Sequence, residues 1–137
     1  MIVRVGTVTN VYPSEGKVRV LYSDRDETSV KLPLFASEYK MPAVGAAVVT
    51  LHMEGRSSGF VLGEFWSDTK KPEESGADVF RKQLGTDSYL MFSNGQMKIA
   101  SPKIVFQSAA GSVTMEQLVA LFNRVTDLEN RMSRAEG

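Results

Sequence analysis

Cysteine is absent from this chain, and histidine occurs once, at His52. The first absence excludes a disulfide framework, a thiol nucleophile and any zinc site built on thiolates. The second leaves little for hydrolytic or metal chemistry. No Ser/His/Asp order, glycine-rich phosphate loop or metal-ligand spacing surrounds His52, and Ser57 and Ser58 beside it are turn residues. An excess of charge of one sign is missing too: Lys+Arg and Asp+Glu each number 16, whereas a nucleic-acid binder commonly carries a basic excess or stripe. No apolar run is long enough to cross a bilayer. The opening Met-Ile-Val-Arg-Val-Gly enters a strand pattern without a signal-peptide layout, so retention in a cytosol is expected. Catalysis, a cofactor and a bound metal are not expected. Asp24, Asp26 and Glu27 lack the glycine and distant glutamate of a calcium loop and read as a solvated charge run.

What is present is strand pattern. At 137 residues and 42% hydrophobic content, the chain suits one domain, or a small domain with an appendage. Val3, Val5, Val8 and Val11 predict a long first strand that bends or changes face near Gly6. Ser14-Glu-Gly16 is a turn, and Lys17-Val-Arg-Val-Leu-Tyr22 alternates as a half-buried antiparallel strand does. Ser29–Leu34 reads as a short edge strand, because Pro33 cannot donate to a ladder. Residues 35–41 leave room for one helical turn. Val48, Val49 and Leu51, then Phe60, Val61, Leu62 and Phe65, form two apolar runs joined by the polar turn His52–Ser58, which predicts a buried hairpin. Five short strands with a longer link between the third and fourth fit a Greek-key barrel of the OB type, with a small sandwich as the competing arrangement. Trp66 ends this region and is expected to cover the base of the core or a subunit contact.

Ser67–Gly76 is polar and punctuated by Pro72 and Gly76, which marks a linker. Beyond it, Tyr89–Phe92 and Gln96–Ala100 flank Asn94-Gly95, the strongest hairpin-turn dipeptide in the chain, and Lys103–Gln107 alternates again. A sheet of this size exposes both edges and has no second layer. It must pack on the barrel or complete its core with other copies. Val79, Leu90, Phe92, Met97, Ile99, Ile104 and Phe106 are the candidates for such a shared core.

Thr114 with Gln117 forms a capping box ahead of a C-terminal helix. Leu118, Leu121, Val125, Leu128 and Met132 then occupy a and d positions of a heptad, which puts Arg124 and Arg131 at g and Glu129 and Glu136 at e. Pairing of Arg124 with Glu129 and of Arg131 with Glu136 is attractive between parallel neighbours. Met115 and Phe122 at e widen the stripe toward three strands, while Val at a with Leu at d favours two, so the helix alone leaves the number open. The competing reading is an amphipathic helix lying on its own domain. Tyr12, Tyr22, Phe35 and Tyr39 could form a stacking platform for single-stranded nucleic acid, but the neutral charge favours core and rim aromatics instead.

Gly16-Lys-Val-Arg-Val20, Pro42-x-Val-Gly45-x-x-Val48-x-x-Leu51 and Gly59-Phe-Val-Leu-Gly63, followed by a Pro-containing polar linker, together resemble the phage baseplate assembly protein V family. That family forms the central spike of contractile tails and related injection systems. The similarity covers about residues 2–110 and is densest from Pro42 to Gly63. The resemblance implies a mainly β chain with an OB barrel at residues 1–67, a linker at 68–77 and short intertwined strands at 78–112. The strands of three chains would form a β-prism or β-helix. In place of the family's tip stands the helix at 113–137, which its heptad pattern predicts to be a parallel trimeric coiled coil and a clamp on the trimer. It also implies a virion or tail-like particle assembled in a bacterial cytoplasm, with a hub protein above the barrel and a target envelope below. Two departures matter. Nothing after His52 can supply a His-x-His iron tip, and the chain has no room for a lysozyme domain, so neither iron nor muralytic activity is expected. A separate tip protein could sit on the helix. The runner-up is an OB module that binds single-stranded nucleic acid or a protein partner.

Overall fold

Residues 1–136 are described by a computed structural model that is mainly β, with one α-helix at its C-terminal end. Gly137, the last residue of the expected helix span, lies outside the described residues. The chain divides into two units, Met1–Pro72 and Glu73 onward.

In the first unit, β1 (Ile2–Tyr12), β2 (Lys17–Tyr22), β3 (Glu27–Thr28), β4 (Leu32–Pro33), β5 (Ala47–His52) and β6 (Gly59–Glu64) form one sheet. The strand order is β3-β2-β1-β5-β6, with β4 also paired to β2. A parallel bridge from Leu34 to Val61 ties the end of β4 to β6, so the sheet curls until its two sides meet. β1 makes this possible by serving two partners: its first half pairs with β5 and its second half with β2. The changeover falls at Gly6 and Thr7. A Cβ on Gly6 would stand 2.6 Å from the Leu21 carbonyl oxygen, so only glycine lets the strands approach this closely. The alternation of β2 turns Val18, Val20 and Tyr22 inward, where they meet Val8, Leu32, Val48 and Val61.

Two expectations for this region change. The Ser29–Leu34 strand shrinks to the two residues of β4, because Ser29 bonds β2 through its side chain: its Oγ accepts from the Val20 N–H at 2.9 Å. Residues 35–41 form turns and extended chain with no helix. One turn bracketed by Pro33 and Pro42 cannot offset the cost of nucleating a helix.

The second unit begins with β7 (Phe80–Gly85), β8 (Ser88–Ser93) and β9 (Gln96–Ala100), an antiparallel sheet in chain order. Asn94 and Gly95 have φ of 51° and 72°, the pair of positive values that a tight two-residue hairpin turn needs. A separate hairpin, β10 (Val105–Ser108) with β11 (Gly111–Thr114), leads into α1 (Met115–Glu136). The capping box is complete: the Gln117 N–H donates to Thr114 Oγ1 at 3.2 Å, and the Thr114 N–H donates to Gln117 Oε1 at 2.9 Å. Arg81 lies 3.8 Å from the Tyr89 ring centroid and donates to Glu73 and Glu74 at 3.2 and 2.9 Å, which fastens those two residues to β7.

Candidate interaction surfaces

Burial along β5 alternates. Val48, Thr50 and His52 face the interior, while Ala47, Val49 and Leu51 face the other way. The ladder places Val3 opposite Leu51 and Leu51 opposite Phe60, with Val5 opposite Val49 in the next row. Val3 and Val5 are 63% and 58% exposed, and Leu62, the extra residue of a β-bulge, is also exposed. Phe60 is stacked on Phe35, rings nearly parallel with centroids 6.4 Å apart. The runs Val48–Leu51 and Phe60–Leu62 are therefore buried at alternate residues, not throughout as the sequence suggests. Their other half builds an apolar plane on the outside of the curled sheet. Contiguous apolar surface of this kind marks an interaction site more often than chance. Trp66 is also exposed, at 63%, so it does not cover the base of the core.

The second unit is more open still. Met91 is its one buried hydrophobic residue among those described. Of the shared-core candidates, Phe92 pairs with Met97, and Leu90 with Ile99, directly across β8 and β9. Phe80 on β7 stands opposite Phe92, so Phe80, Phe92 and Met97 form one row across three strands. Phe92, Met97 and Ile99 are exposed within the chain, and Leu90 is half-buried. Phe80 is absent from the sequence-based set. Its only signal was the alternation of Phe80 and Leu84, broken up by Lys82. Val79 lies just before β7, half-buried, with its N–H donating to the Gly76 carbonyl. Ile104 precedes β10, accepts from the Met115 N–H at 2.9 Å, and lines a hollow with Met115 and Val119 of α1. Phe106, on β10 opposite Val113, is exposed.

None of the residues of α1 is buried. Leu118, Leu121, Val125, Leu128 and Met132 all remain exposed. Beyond the hollow at Ile104, Met115 and Val119, the apolar stripe of the helix is left uncovered by the rest of the chain among the described residues. Arg124, Glu129, Arg131 and Glu136 make no salt bridge within the chain among the described residues.

The interior of the first unit holds one polar cluster. The Tyr22 hydroxyl lies 2.8 Å from Thr50 Oγ1 and 2.6 Å from His52 Nε2. Its single proton can go to only one of them, so the other must donate to it. Thr50 can also donate to the Arg4 carbonyl at 3.4 Å, which couples the Thr50 rotor to the His52 tautomer. Burial pushes the Tyr22 phenol above its usual range, against the opposing hydrogen bond from Thr50. Because Tyr22 is buried, the four aromatics considered as a stacking platform do not share a surface. Tyr12 lies beneath the Lys31 ammonium, 4.2 Å from its ring centroid, and Tyr39 is exposed. Among the described residues no group of three or more His, Cys, Asp and Glu is placed to hold a metal ion, and no helix is long and apolar enough to cross a membrane.

No family model and no curated protein matches this chain.

Proposed function

We propose that the chain is the central spike or baseplate protein of a phage tail or tail-like contractile injection particle, working as a homotrimer. The first unit is read as an OB-type barrel whose apolar outer plane meets the tail hub. The strands of three copies intertwine as a β-prism or β-helix needle, and α1 joins its counterparts in a parallel coiled coil. The observation that supports this best is the imbalance of the second unit. It has the strand and helix patterning of a folded domain but buries almost none of its apolar side chains within one chain. Other copies of the same segment are the natural cover, because identical rows such as Phe80–Phe92–Met97 can meet around a threefold axis.

On this reading the function is mechanical. A needle with a core shared among chains resists bending when contraction drives it onto the target envelope. Interlocking also slows dissociation, because no chain leaves without unfolding its neighbours' sheets. The far end of the coiled coil offers a platform for a separate tip protein. Light scattering tests the reading directly. A mass three times 15.1 kDa is expected, and a species of 15.1 kDa in solution would sink it. The second reading, an OB module for single-stranded nucleic acid or a protein partner, draws on the exposed Phe35–Phe60 stack. Salt-sensitive binding of single-stranded DNA at physiological ionic strength by a monomer would favour it.

A further inference from the structure

At one end of the curled sheet, the start of β1, the β2–β3 turn and the β5–β6 turn border a cleft of about 340 Å³. Three guanidinium groups from distant parts of the chain line it, Arg4, Arg25 and Arg56, against a single carboxylate, Glu27. Among the lining residues positive charge exceeds negative, while Asp24, Asp26 and Glu54 stand elsewhere in the same two turns. Arg4 is the most confined of the three. Its side chain is only 19% exposed, held 5.2 Å from the Tyr22 ring centroid and 3.9 Å from the Glu27 carboxylate. The Glu27 contact is too long for a hydrogen bond, so the Arg4 N–H groups are not spent on it. Arg25 and Arg56 make no side-chain hydrogen bond or ion pair among the described residues. Tyr22 and His52, whose side chains are hydrogen-bonded to each other, are among the lining residues, as are Thr28 and Ser57.

A guanidinium presents its donors in a planar fork that matches the oxygens of a carboxylate or phosphate, and it stays charged at any ordinary pH. In the lining itself three such forks face one carboxylate, two more positive charges than negative. We propose that this cleft binds a doubly charged oxyanion, the group carried by phosphate esters and by dicarboxylates. Arg4 supplies the fixed contact from its partly buried position, and Arg25 and Arg56 close on the anion from the two turns. The site lies wholly within the first unit and does not depend on the oligomeric state proposed above.

The test uses the full chain and its single histidine. The C2 proton of His52 gives one resonance beside the cleft. It is followed at fixed pH and ionic strength during titration with inorganic phosphate, with glutarate, and with chloride as the monovalent control. A saturable shift with a dianion and none with chloride is expected. Response to phosphate alone assigns the ester class, response to glutarate alone the dicarboxylate class, and response to both the shared dianion chemistry. Arg25 and Arg56 are exposed turn residues, so the double variant Arg25→Gln, Arg56→Gln is expected to keep the wild-type amide spectrum and to raise the half-saturating concentration at least about tenfold. No saturable shift with either dianion would overturn the proposal, as would an unchanged half-saturation in a folded double variant.

Discussion

In the first unit Val8, Val18, Val20, Tyr22, Leu32, Val48 and Val61 are each at most 2% exposed, whereas in the second the most buried hydrophobic side chain is Met91, at 9%. Both units are built mainly from antiparallel strands, and strands of six residues occur in each, so strand formation alone does not separate them. Closure does. The Leu34–Val61 bridge turns one sheet into its own second layer, and the alternate residues of every strand then have something to cover them. The β7–β9 sheet has three strands in chain order and no such closing contact. Its apolar row faces outward until something is laid against it. A chain that contains both solutions has one part that covers its own apolar faces and another that leaves most of them open.

The largest effect is expected where a cover for the open part would sit. Phe92→Asp puts a charge at the centre of the Phe80–Phe92–Met97 row. In a shared core this costs several kcal/mol, about 3 or more per copy, because the carboxylate loses water without gaining a partner. The expected outcome is loss of the trimer to a 15.1 kDa species by light scattering, with the first unit still folded. A trimer that survives the substitution would show that the row is not at the interface.

The converse experiment is Leu32→Ala, in the closed core. Leu32 is fully buried, and truncating such a leucine costs about 2–5 kcal/mol through lost burial and the cavity left behind. The unfolding free energy of the first unit, taken from its denaturant midpoint and slope, should fall by that amount while the mass in solution stays the same. If the oligomer dissociated in step with the lost stability, the two units would not be the independent solutions described above.

How far the sequence disclosed this division depended on the kind of signal. Local chemistry was plain. Asn94-Gly95 has both positive φ values of its turn, and Thr114 and Gln117 exchange both bonds of the capping box, because each motif is settled by residues within a few positions. Alternation in β2 was equally direct. β7 was missed because Arg81, Lys82 and Gln83 dilute its apolar period, and β11 because Gly111-Ser-Val-Thr114 is too short to show one. The outer plane of β1, β5 and β6 was not legible at all. A continuous apolar run says that both faces of a strand avoid water, but not whether the second cover comes from the same chain. The arginine cleft was equally hidden, since Arg4, Arg25 and Arg56 meet only after the sheet has curled.

A smaller effect tests the polar part of the closed interior. Tyr22→Phe removes the hydroxyl between Thr50 and His52, and leaving buried partners short of a bond costs about 1–3 kcal/mol. The pH dependence carries a sign that checks the cause. Burial raises the folded-state pKa of this phenol, so its contribution is complete below the ordinary tyrosine value of about 10 and is lost as pH rises through the raised folded value. Urea midpoints measured from about pH 8 to about pH 11, on either side of the ordinary tyrosine value, should therefore fall more steeply for the wild type than for Tyr22→Phe. Equal slopes would mean that Tyr22 does not contribute to the alkaline loss.

The smallest effect concerns the open side of the comparison and decides its geometry. Arg124, Glu129, Arg131 and Glu136 find no salt-bridge partner in their own helix, although all four side chains are exposed. Between parallel helices in register, the g position of one chain meets the following e position of the next, so Arg131 faces a neighbour's Glu136. Each such pair is worth only about 0–1 kcal/mol, but a trimer repeats it three times. Arg131→Glu should lower the trimer's thermal midpoint by a few degrees at low salt and by less at high salt, because screening weakens exposed pairs first. Adding Glu136→Arg to the same chain should restore the midpoint, since the attraction returns with its sign exchanged. In an antiparallel arrangement g faces g, so Arg131 would meet a neighbour's Arg124, and Arg131→Glu alone would raise the midpoint instead of lowering it. That outcome would leave the helix stripe as an interface but remove the parallel register on which a single needle pointing one way depends.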